Sequence, residues 1–140
     1  MFRVDRQTRR GGIILYVSKS IDAVQLDMFK AEAFSDCVFC MLSLSGSKLI
    51  AGVCYRSPSS TSENDEALLS LFKSVGDFVE KHNCIIMGDF NLPNIDFGAS
   101  AVHGAEDSFA AKVYDCLLDN FWTQHVTDYT RTVLTRRHLV

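Results

Sequence analysis

The fold is decided by residues 84–97, which run Cys84-Ile85-Ile86-Met87-Gly88-Asp89-Phe90-Asn91-Leu92-Pro93-Asn94-Ile95-Asp96-Phe97. The apolar run Ile85–Met87 predicts a buried strand that is covered on both faces. Asp89 and Asn91 follow it two residues apart, so in an extended chain they project to one side and Phe90 to the other. The sequence therefore places polar side chains at the edge of a sheet, with one side facing a ligand and the other facing the core.

Gly88 and the residues after it also allow a plainer interpretation. Gly, Asn, Asp and Pro are the usual residues of turns, and Asn91–Asn94 is rich in them. On that interpretation the segment only reverses the chain, whereas on the first one Gly88 lets the backbone closely approach whatever lies at the end of the strand. These residues alone leave both interpretations open.

Length and composition predict one domain, or part of one. The chain has 140 residues, of which 47% are apolar, and this is enough to bury one core. No apolar run approaches the ~20 residues that span a bilayer, and Met1–Arg6 lacks the apolar centre of a signal peptide. We therefore expect a soluble intracellular protein of the nucleus or cytoplasm, with no membrane partner.

The five cysteines do not form a dense framework of the kind found in secreted proteins, and most of them lie inside apolar segments. We expect buried thiols with no disulfide partner. Cys37 and Cys40 form a C-x-x-C pair, but no second pair follows at the spacing of a zinc site. Alternation along Cys37–Leu44 instead favours a strand, so we interpret these thiols as structural.

Charge alone does not indicate a nucleic-acid partner, because the net charge is only −3 and phosphate binding depends on Lys and Arg. Arginines nevertheless cluster near both ends of the chain, at Arg3, Arg6, Arg9, Arg10, Arg131, Arg136 and Arg137. Two interpretations remain open for these clusters. They either border a groove that holds a nucleic-acid backbone or form an ordinary solvated surface.

Hydrophobic periodicity predicts both strands and helices. A strand follows two glycines at Gly11–Val17, and Asp36–Ser45 and Lys48–Tyr55 have the spacing of an antiparallel hairpin. Glu63–His82 and Asp107–Asn120 each place their apolar residues on one stripe at helical spacing. Together with the strand near Ile85, this order favours an α+β layered sandwich.

A polar loop, Ser57–Ser62, precedes the first helix. Ser62 and Asp65 lie three residues apart, a spacing similar to a capping box, in which two side chains satisfy the free N–H groups of the first turn. We therefore expect the helix to begin just after Ser62, with acidic side chains near its positive end.

The block Gly88-Asp89-Phe90-Asn91 after a strand resembles the signature of the endonuclease/exonuclease/phosphatase superfamily. Residues 88–97 are especially similar to the version found in the endonuclease domains of non-LTR retrotransposons. Supporting blocks resemble other segments of that family: Phe2–Arg6, Gly52–Pro58, in which Ser57 replaces a proline, and Val126–Arg131. The matching blocks correspond to the middle of the family's domain.

The resemblance implies a partial four-layer α/β/β/α sandwich, with residues 1–140 forming a single incomplete domain. It implies metal-dependent hydrolysis of phosphodiesters, with DNA as the substrate, Mg²⁺ as the cofactor and a reverse transcriptase domain as the partner in the full element. Catalytic roles are implied for Tyr55, which reaches the scissile phosphate, for Asp89, which activates water, and for Asn91, which holds phosphate. Substrate contacts are implied for Arg56, Thr130 and Arg131.

Two blocks of the resembling family are absent from this sequence. No Gln is followed by Glu, so the block that supplies the metal-binding glutamate is missing, and none of His82, His103, His125 and His138 follows an aspartate. No metal ligand is therefore assigned, although Asp89 and Asn91 lie near the expected metal, and enzymatic activity stays open. We expect a weakly active or inactive nuclease fragment. The alternatives are a related enzyme for phosphoinositides or sphingolipids, and a decayed or mis-delimited gene product without activity.

Overall fold

The computed structural model describes residues 1–5, 12–30, 34–78 and 83–126. Within those ranges the chain forms eight strands, two α-helices and one short 3-10 helix, Asp27–Lys30. The strands are β1 Phe2–Asp5, β2 Gly12–Leu15, β3 Asp22–Gln25, β4 Cys37–Leu44, β5 Ser47–Tyr55, β6 Asn83–Asp89, β7 Ile95–Asp96 and β8 Ala101–Val102, and the helices are α1 Ser62–Phe78 and α2 Phe109–Asp119.

β4 and β5 form the hairpin that the sequence predicts. They pair antiparallel along their length, beginning with Cys37 opposite Cys54. The two turn residues, Ser45 and Gly46, have φ angles of 39° and 91°. Positive φ at both positions gives the turn a twist that matches that of the strands it joins. The hairpin is therefore set by its short turn as well as by the alternation of its strands.

The main sheet has four strands in the order β3-β4-β5-β6. β3, β4 and β5 pair antiparallel, but β5 and β6 are parallel. A parallel pair needs a crossover connection, and α1 provides it. The register pairs Tyr55 at the end of β5 with Asp89 at the end of β6. The carboxyl ends of these two strands therefore meet at the same end of the sheet.

The helices cover one face of the main sheet. α1 buries Leu68, Leu71 and Val75, each at most 2% exposed, in a cluster that includes Phe39 of β4 and Ile50 of β5. α2 packs beside α1 and extends this cluster. The apolar stripe that the sequence predicts for the first helix is therefore buried in the core.

Among the described residues, no helix is both long and apolar enough to cross a bilayer.

The small antiparallel sheet β1–β2 covers the other face of β4 and β5. Ile13 of β2 is buried, as are Val38, Cys40 and Ala51, which occupy the strand positions that alternate with the helix-facing ones. Helices, main sheet and second sheet form three layers. The α+β class is confirmed, and the described residues supply three of the four layers expected of the sandwich.

The C-x-x-C pair is split by the sheet. Cys37 belongs to the core cluster beneath the helices, whereas Cys40 is buried on the opposite face, because strand residues three apart point in opposite directions. All five cysteines are free thiols, and Cys37, Cys40, Cys54 and Cys116 are buried. The two thiols of the C-x-x-C pair are therefore buried on opposite faces of the sheet.

The prediction that β6 is covered on both faces is wrong. Cys84 and Ile86 pack toward the helices, but Ile85 and Met87, on the other face, remain 40% and 41% exposed. β6 is the last strand of the main sheet in the described ranges, and the β1–β2 sheet contacts β4 and β5 instead. An apolar run can therefore form an edge strand as well as a central one.

Gly88 is expected to tolerate no side chain. Its φ is 153°, and a Cβ at this position would lie 1.8 Å from the carbonyl oxygen of Cys54 on β5. Gly88→Ala should therefore lower the free energy of unfolding by about 3 kcal/mol, from backbone strain and overpacking together. Gly98→Ala is the control, because its nearest neighbour would be one Asp96 side-chain oxygen at 3.4 Å. Equal urea denaturation midpoints for the two variants would contradict the close approach of the strands.

Candidate active site

Tyr55 and Asp89 lie side by side at the ends of β5 and β6. They are register partners in the parallel pair, and the N–H of Arg56 donates to the carbonyl oxygen of Asp89 at 2.9 Å. Register partners on adjacent strands project to the same face of a sheet. Tyr55 is half-buried and Asp89 is exposed. The phenol and the carboxylate therefore share one face, next to the uncovered side chains of β6.

Asn91 is held against the end of β5 by its own side chain. Its Nδ2 donates to the carbonyl oxygen of Arg56 at 2.7 Å, and its backbone N–H donates to Oδ1 of Asp89 at 3.2 Å. Its φ is 49°, in the left-handed region that asparagine tolerates better than most residues. Asn91 therefore does not continue the strand, and its side chain reaches the site through a turn.

Phe90 points into the core, as the sequence predicts. Its ring lies 5.6 Å from that of Phe72 on α1, centroid to centroid, and it packs against the buried cluster. The side chains of Asp89 and Phe90 therefore point to opposite sides, as expected for a strand. The expected alternation of side chains ends at Phe90. Both interpretations of the segment hold in part, because it forms a turn and presents polar groups.

The guanidinium of Arg56 forms four hydrogen bonds within the protein. Its Nε and Nη2 donate to the two carboxylate oxygens of Asp65 at 2.7 and 2.8 Å. Its Nη1 donates to the carbonyl oxygens of Asn91 at 2.9 Å and Phe90 at 3.4 Å. The guanidinium also lies over the ring of Phe109 on α2, 4.9 Å from the centroid. Arg56 therefore joins the ends of β5 and β6 to both helices.

The Arg56–Asp65 pair is largely removed from solvent, with side chains 11% and 12% exposed. Burial pushes the pKa of Asp65 upward, but hydrogen bonds from Arg56 and Ser60 and the attraction of the guanidinium outweigh burial, so the pKa is lowered. The carboxylate is therefore held in its charged form. A bidentate pair of this kind fixes orientation as well as charge.

Asp65 does not form the expected capping box with Ser62. Ser62 is already the first residue of α1, and the cap is Thr61, whose Oγ1 accepts from the N–H of Asn64 at 3.3 Å. The carbonyl oxygen of Thr61 accepts from the N–H of Asp65 at 2.9 Å. The prediction was wrong because the side chain of Asp65 has a stronger partner in Arg56, a residue outside the helix.

The structure thus brings together four of the predicted site residues, namely Tyr55, Arg56, Asp89 and Asn91. Thr130 and Arg131 lie outside the described residues, as do Arg6, Arg9, Arg10, Arg136 and Arg137 of the basic clusters. Arg3 is exposed and pairs with Asp5. The substrate contact assigned to Arg56 stays a prediction, and the geometry adds a positioning role that sequence reasoning missed.

The thiols beneath the site remain protonated. Burial, with smaller contributions from Cys37 and Cys84, raises the pKa of Cys54 well above its usual range. Burial also raises the pKa of Cys84 to about 12. Since the thiolate is the reactive form of cysteine, neither residue is suited to act as a nucleophile near neutral pH.

The oxygen ligands near Asp89 do not complete a site for Mg²⁺. Asp89 and Asn91 offer one carboxylate and one carboxamide, and the described ranges contain no group of three His, Cys, Asp or Glu side chains that could hold a metal ion. Mg²⁺ requires six oxygen ligands in near-octahedral geometry and keeps several waters. These residues therefore do not fit a resident magnesium ion by themselves.

The fold is similar to that of a solved retrotransposon enzyme domain. No family model matches the chain, and no curated protein matches it. Among solved structures, the chain is similar to the endonuclease domain of TRAS1, a telomere-specific non-LTR retrotransposon, with a TM-score of 0.62 and 16% identity. The match covers 85% of this chain and 51% of that one, so the chain spans about half the length of the TRAS1 domain. The similarity shows that this chain shares the fold of that part of the TRAS1 domain.

The lowered pKa of Asp65 predicts a specific loss of stability in acid. An ionised Asp65 stabilises the folded state above its unfolded pKa of about 3.9, and this contribution is lost as pH falls through the lower folded value. Asp65→Asn should lower the free energy of unfolding near pH 7 by about 2 kcal/mol or more. Below pH ~4, the free energy of unfolding of this variant should decrease less steeply with falling pH than that of the wild type. Urea titrations across this range are the measurement, with Glu66→Gln, an exposed acid on α1, as the control. Equal acid slopes for the wild type and Asp65→Asn would argue against the pair.

The positioning role of Arg56 can be separated from its charge. Arg56→Lys keeps the charge but cannot form the two-oxygen contact with Asp65, so the free energy of unfolding should fall by about 1–2 kcal/mol. The matched control is Arg3→Lys, whose ion pair with Asp5 is more than half exposed and should matter by less than about 0.5 kcal/mol. If Arg56→Lys is as stable as the control, the guanidinium is not positioning the strand ends.

Proposed function

We propose that this chain carries part of a DNA endonuclease site of the retroelement type, and that the polypeptide alone hydrolyses DNA slowly or not at all. One observation supports the site above all others: the parallel register sets Tyr55 beside Asp89, with Asn91 tied to the same strand ends. The nuclease-like fold, similar to the TRAS1 endonuclease domain, supports the substrate class.

The three side chains have complementary capacities toward a phosphodiester. The exposed carboxylate of Asp89 can accept a proton from an attacking water. Asn91 uses one N–H of its carboxamide on the carbonyl oxygen of Arg56, and the amide carries a second N–H that can donate to a phosphoryl oxygen. The Tyr55 hydroxyl on the same face is a further donor. Such groups orient water and phosphate, but they add no positive charge.

Neutralisation of the phosphate is the missing function. Arg56, the cation that the structure describes at these strand ends, has its guanidinium engaged by Asp65 and by two carbonyl oxygens, and the described ligands for Mg²⁺ are sparse. We propose Mg²⁺ as the metal that a complete site would use, where it would neutralise the phosphoryl oxygens. When groups that act as one unit are removed, most of the rate is lost. Weak or absent hydrolysis follows from that loss.

The resemblance also motivates proposals that reach beyond this chain. We propose a reverse transcriptase domain as a partner in the full element, and DNA as the polymer that contacts the Asp89 face. The choice between nucleus and cytoplasm stays a prediction.

Nicking of supercoiled plasmid in Mg²⁺ measures the proposed activity. We expect very slow or undetectable nicking, and any residual rate should fall by ~10²-fold or more in Asp89→Ala, because a general base would be lost. Asp22→Ala is the matched control, an exposed aspartate that pairs opposite Ser43 at the far end of the same sheet. EDTA should remove any residual rate if it depends on the metal.

Three results would change the proposal. Rapid nicking that vanishes in Asp89→Ala would overturn the claim that the chain alone is nearly inactive. If residual nicking is equal in the wild type, Asp89→Ala and Asp22→Ala, the nicking does not come from this site. Release of phosphate from a phosphoinositide or cleavage of a sphingolipid, lost in Asp89→Ala and without binding to a DNA oligonucleotide, would replace DNA by a lipid phosphoester.

A further inference from the structure

We propose that Cys37 and Cys54 form an intramolecular disulfide when the chain meets a two-electron oxidant such as hydrogen peroxide, and that a dithiol reduces the bond again. The pair makes the β4–β5 hairpin sensitive to redox conditions at the strand end that carries Tyr55. This inference does not depend on the proposed function. It rests on the register of the hairpin, on the face that the two side chains share and on their burial together.

The two thiols lie directly opposite each other in the hairpin. Cys37 at the start of β4 is the register partner of Cys54 on β5. One step further along, the N–H of Tyr55 donates to the carbonyl oxygen of Asp36 at 3.0 Å. Hydrogen-bonded and non-hydrogen-bonded pairs alternate along an antiparallel ladder. Cys37 and Cys54 therefore form a non-hydrogen-bonded pair, the kind in which opposed side chains lie closest together.

The geometry of such a pair fits a disulfide. The Cα atoms of a non-hydrogen-bonded pair lie about 4.5 Å apart, within the range of roughly 4.4–6.8 Å found for disulfides. Cys37 and Cys54 belong to the same buried cluster beneath the helices, so their side chains share one face of the sheet. The raised pKa of Cys54 agrees with close thiols, because burial is its main cause and Cys37 adds to it.

The register gives the other three cysteines different neighbours. Cys40 pairs with Ala51 and is buried on the opposite face of the sheet. Cys84 pairs with Ile50, and Cys116 belongs to α2. All five cysteines lie in the described ranges, and among them the strand register sets only the proposed pair face to face.

Oxidation by peroxide proceeds in two balanced steps. One thiol loses its proton, and its sulfur attacks an oxygen of hydrogen peroxide. The O–O bond breaks and leaves a sulfenic acid and hydroxide, which takes up the proton as water. The second thiol then loses its proton, and its sulfur attacks the sulfenic sulfur, so that the S–S bond forms and hydroxide leaves as a second water. Two electrons thus pass from the two thiols to one peroxide molecule.

Burial limits the first step and not the second. Both thiols are at most 2% exposed, and the thiolate is the reactive form. In the folded chain the peroxide step therefore waits for transient opening of the strand end. The second step needs no access from solvent, because the partner thiol is already in place. Once a sulfenic acid has formed, we expect pairing to outpace further oxidation to sulfinic acid.

Peroxide treatment of the whole chain at about pH 8.5, where more of each thiol is ionised, tests the proposal. Thiol counting after denaturation should show the loss of two of the five free thiols, and dithiothreitol should restore both. Trypsin cleaves after Lys30, Lys48 and Arg56, so digestion without reduction should release peptides 31–48 and 49–56 joined by a disulfide. Fragmentation of the joined peptides in the mass spectrometer then locates the bond without any variant.

Variants identify the bonded thiol independently, because Cys40 lies in the same peptide as Cys37. Cys37→Ala should abolish the joined peptides, and Cys40→Ala, the matched control, should keep them. Urea denaturation of each variant verifies that it is folded. Joined peptides that persist in Cys37→Ala would overturn the proposal. So would five thiols that survive prolonged peroxide treatment, or thiols lost only to sulfinic acid or to disulfides between two chains.

Discussion

The guanidinium of Arg56 holds together parts of the chain that are distant in sequence. It donates hydrogen bonds to the carboxylate of Asp65 in the first turns of α1 and to the carbonyl oxygen of Asn91 in the chain after β6. It also lies over Phe109 at the start of α2. Each partner needs a specific direction, and a planar guanidinium with fixed donors can satisfy all of them at once. The ends of β5 and β6 are thereby set relative to the helices that cover them.

This arrangement links stability to the site without exposing the cation to a ligand. The side chain of Asn91 donates to the carbonyl oxygen of Arg56, and the side chain of Arg56 donates to the carbonyl oxygen of Asn91. Each side chain is therefore bonded to the main chain of the other residue. The side chains of Asp89 and Tyr55 lie on the same face of the sheet, next to the exposed side chains of β6. Within the part of the chain that the structure describes, these bonds position the strand ends but use the guanidinium of Arg56 internally.

Local sequence patterns predicted the hairpin and both helices, because each depends on neighbours within a few residues. The exposure of one face of β6 could not be predicted in that way, because the sequence around Ile85 and Met87 is the same whether or not a second sheet covers them. Asp65 was misassigned for a related reason, because its partner lies outside its own helix. β7 and β8, two residues each, are too short to show any periodicity. The pairing of Tyr55 with Asp89 depends on a parallel register, which no local pattern shows; the resemblance to a known family implied only that both residues belong to one site.

The fold and the proposed catalytic activity depend on different groups of atoms. Main-chain bonds and apolar packing place Tyr55 and Asp89 together at the ends of β5 and β6. Hydrolysis of a phosphodiester depends instead on positive charge at the phosphoryl oxygens, which that packing does not provide. Fold and site geometry are therefore set by interactions other than those on which the proposed reaction depends. For the proposed reaction, the decisive quantity is therefore the charge that can be brought to the Asp89 face, since the register already sets Tyr55 and Asp89 side by side.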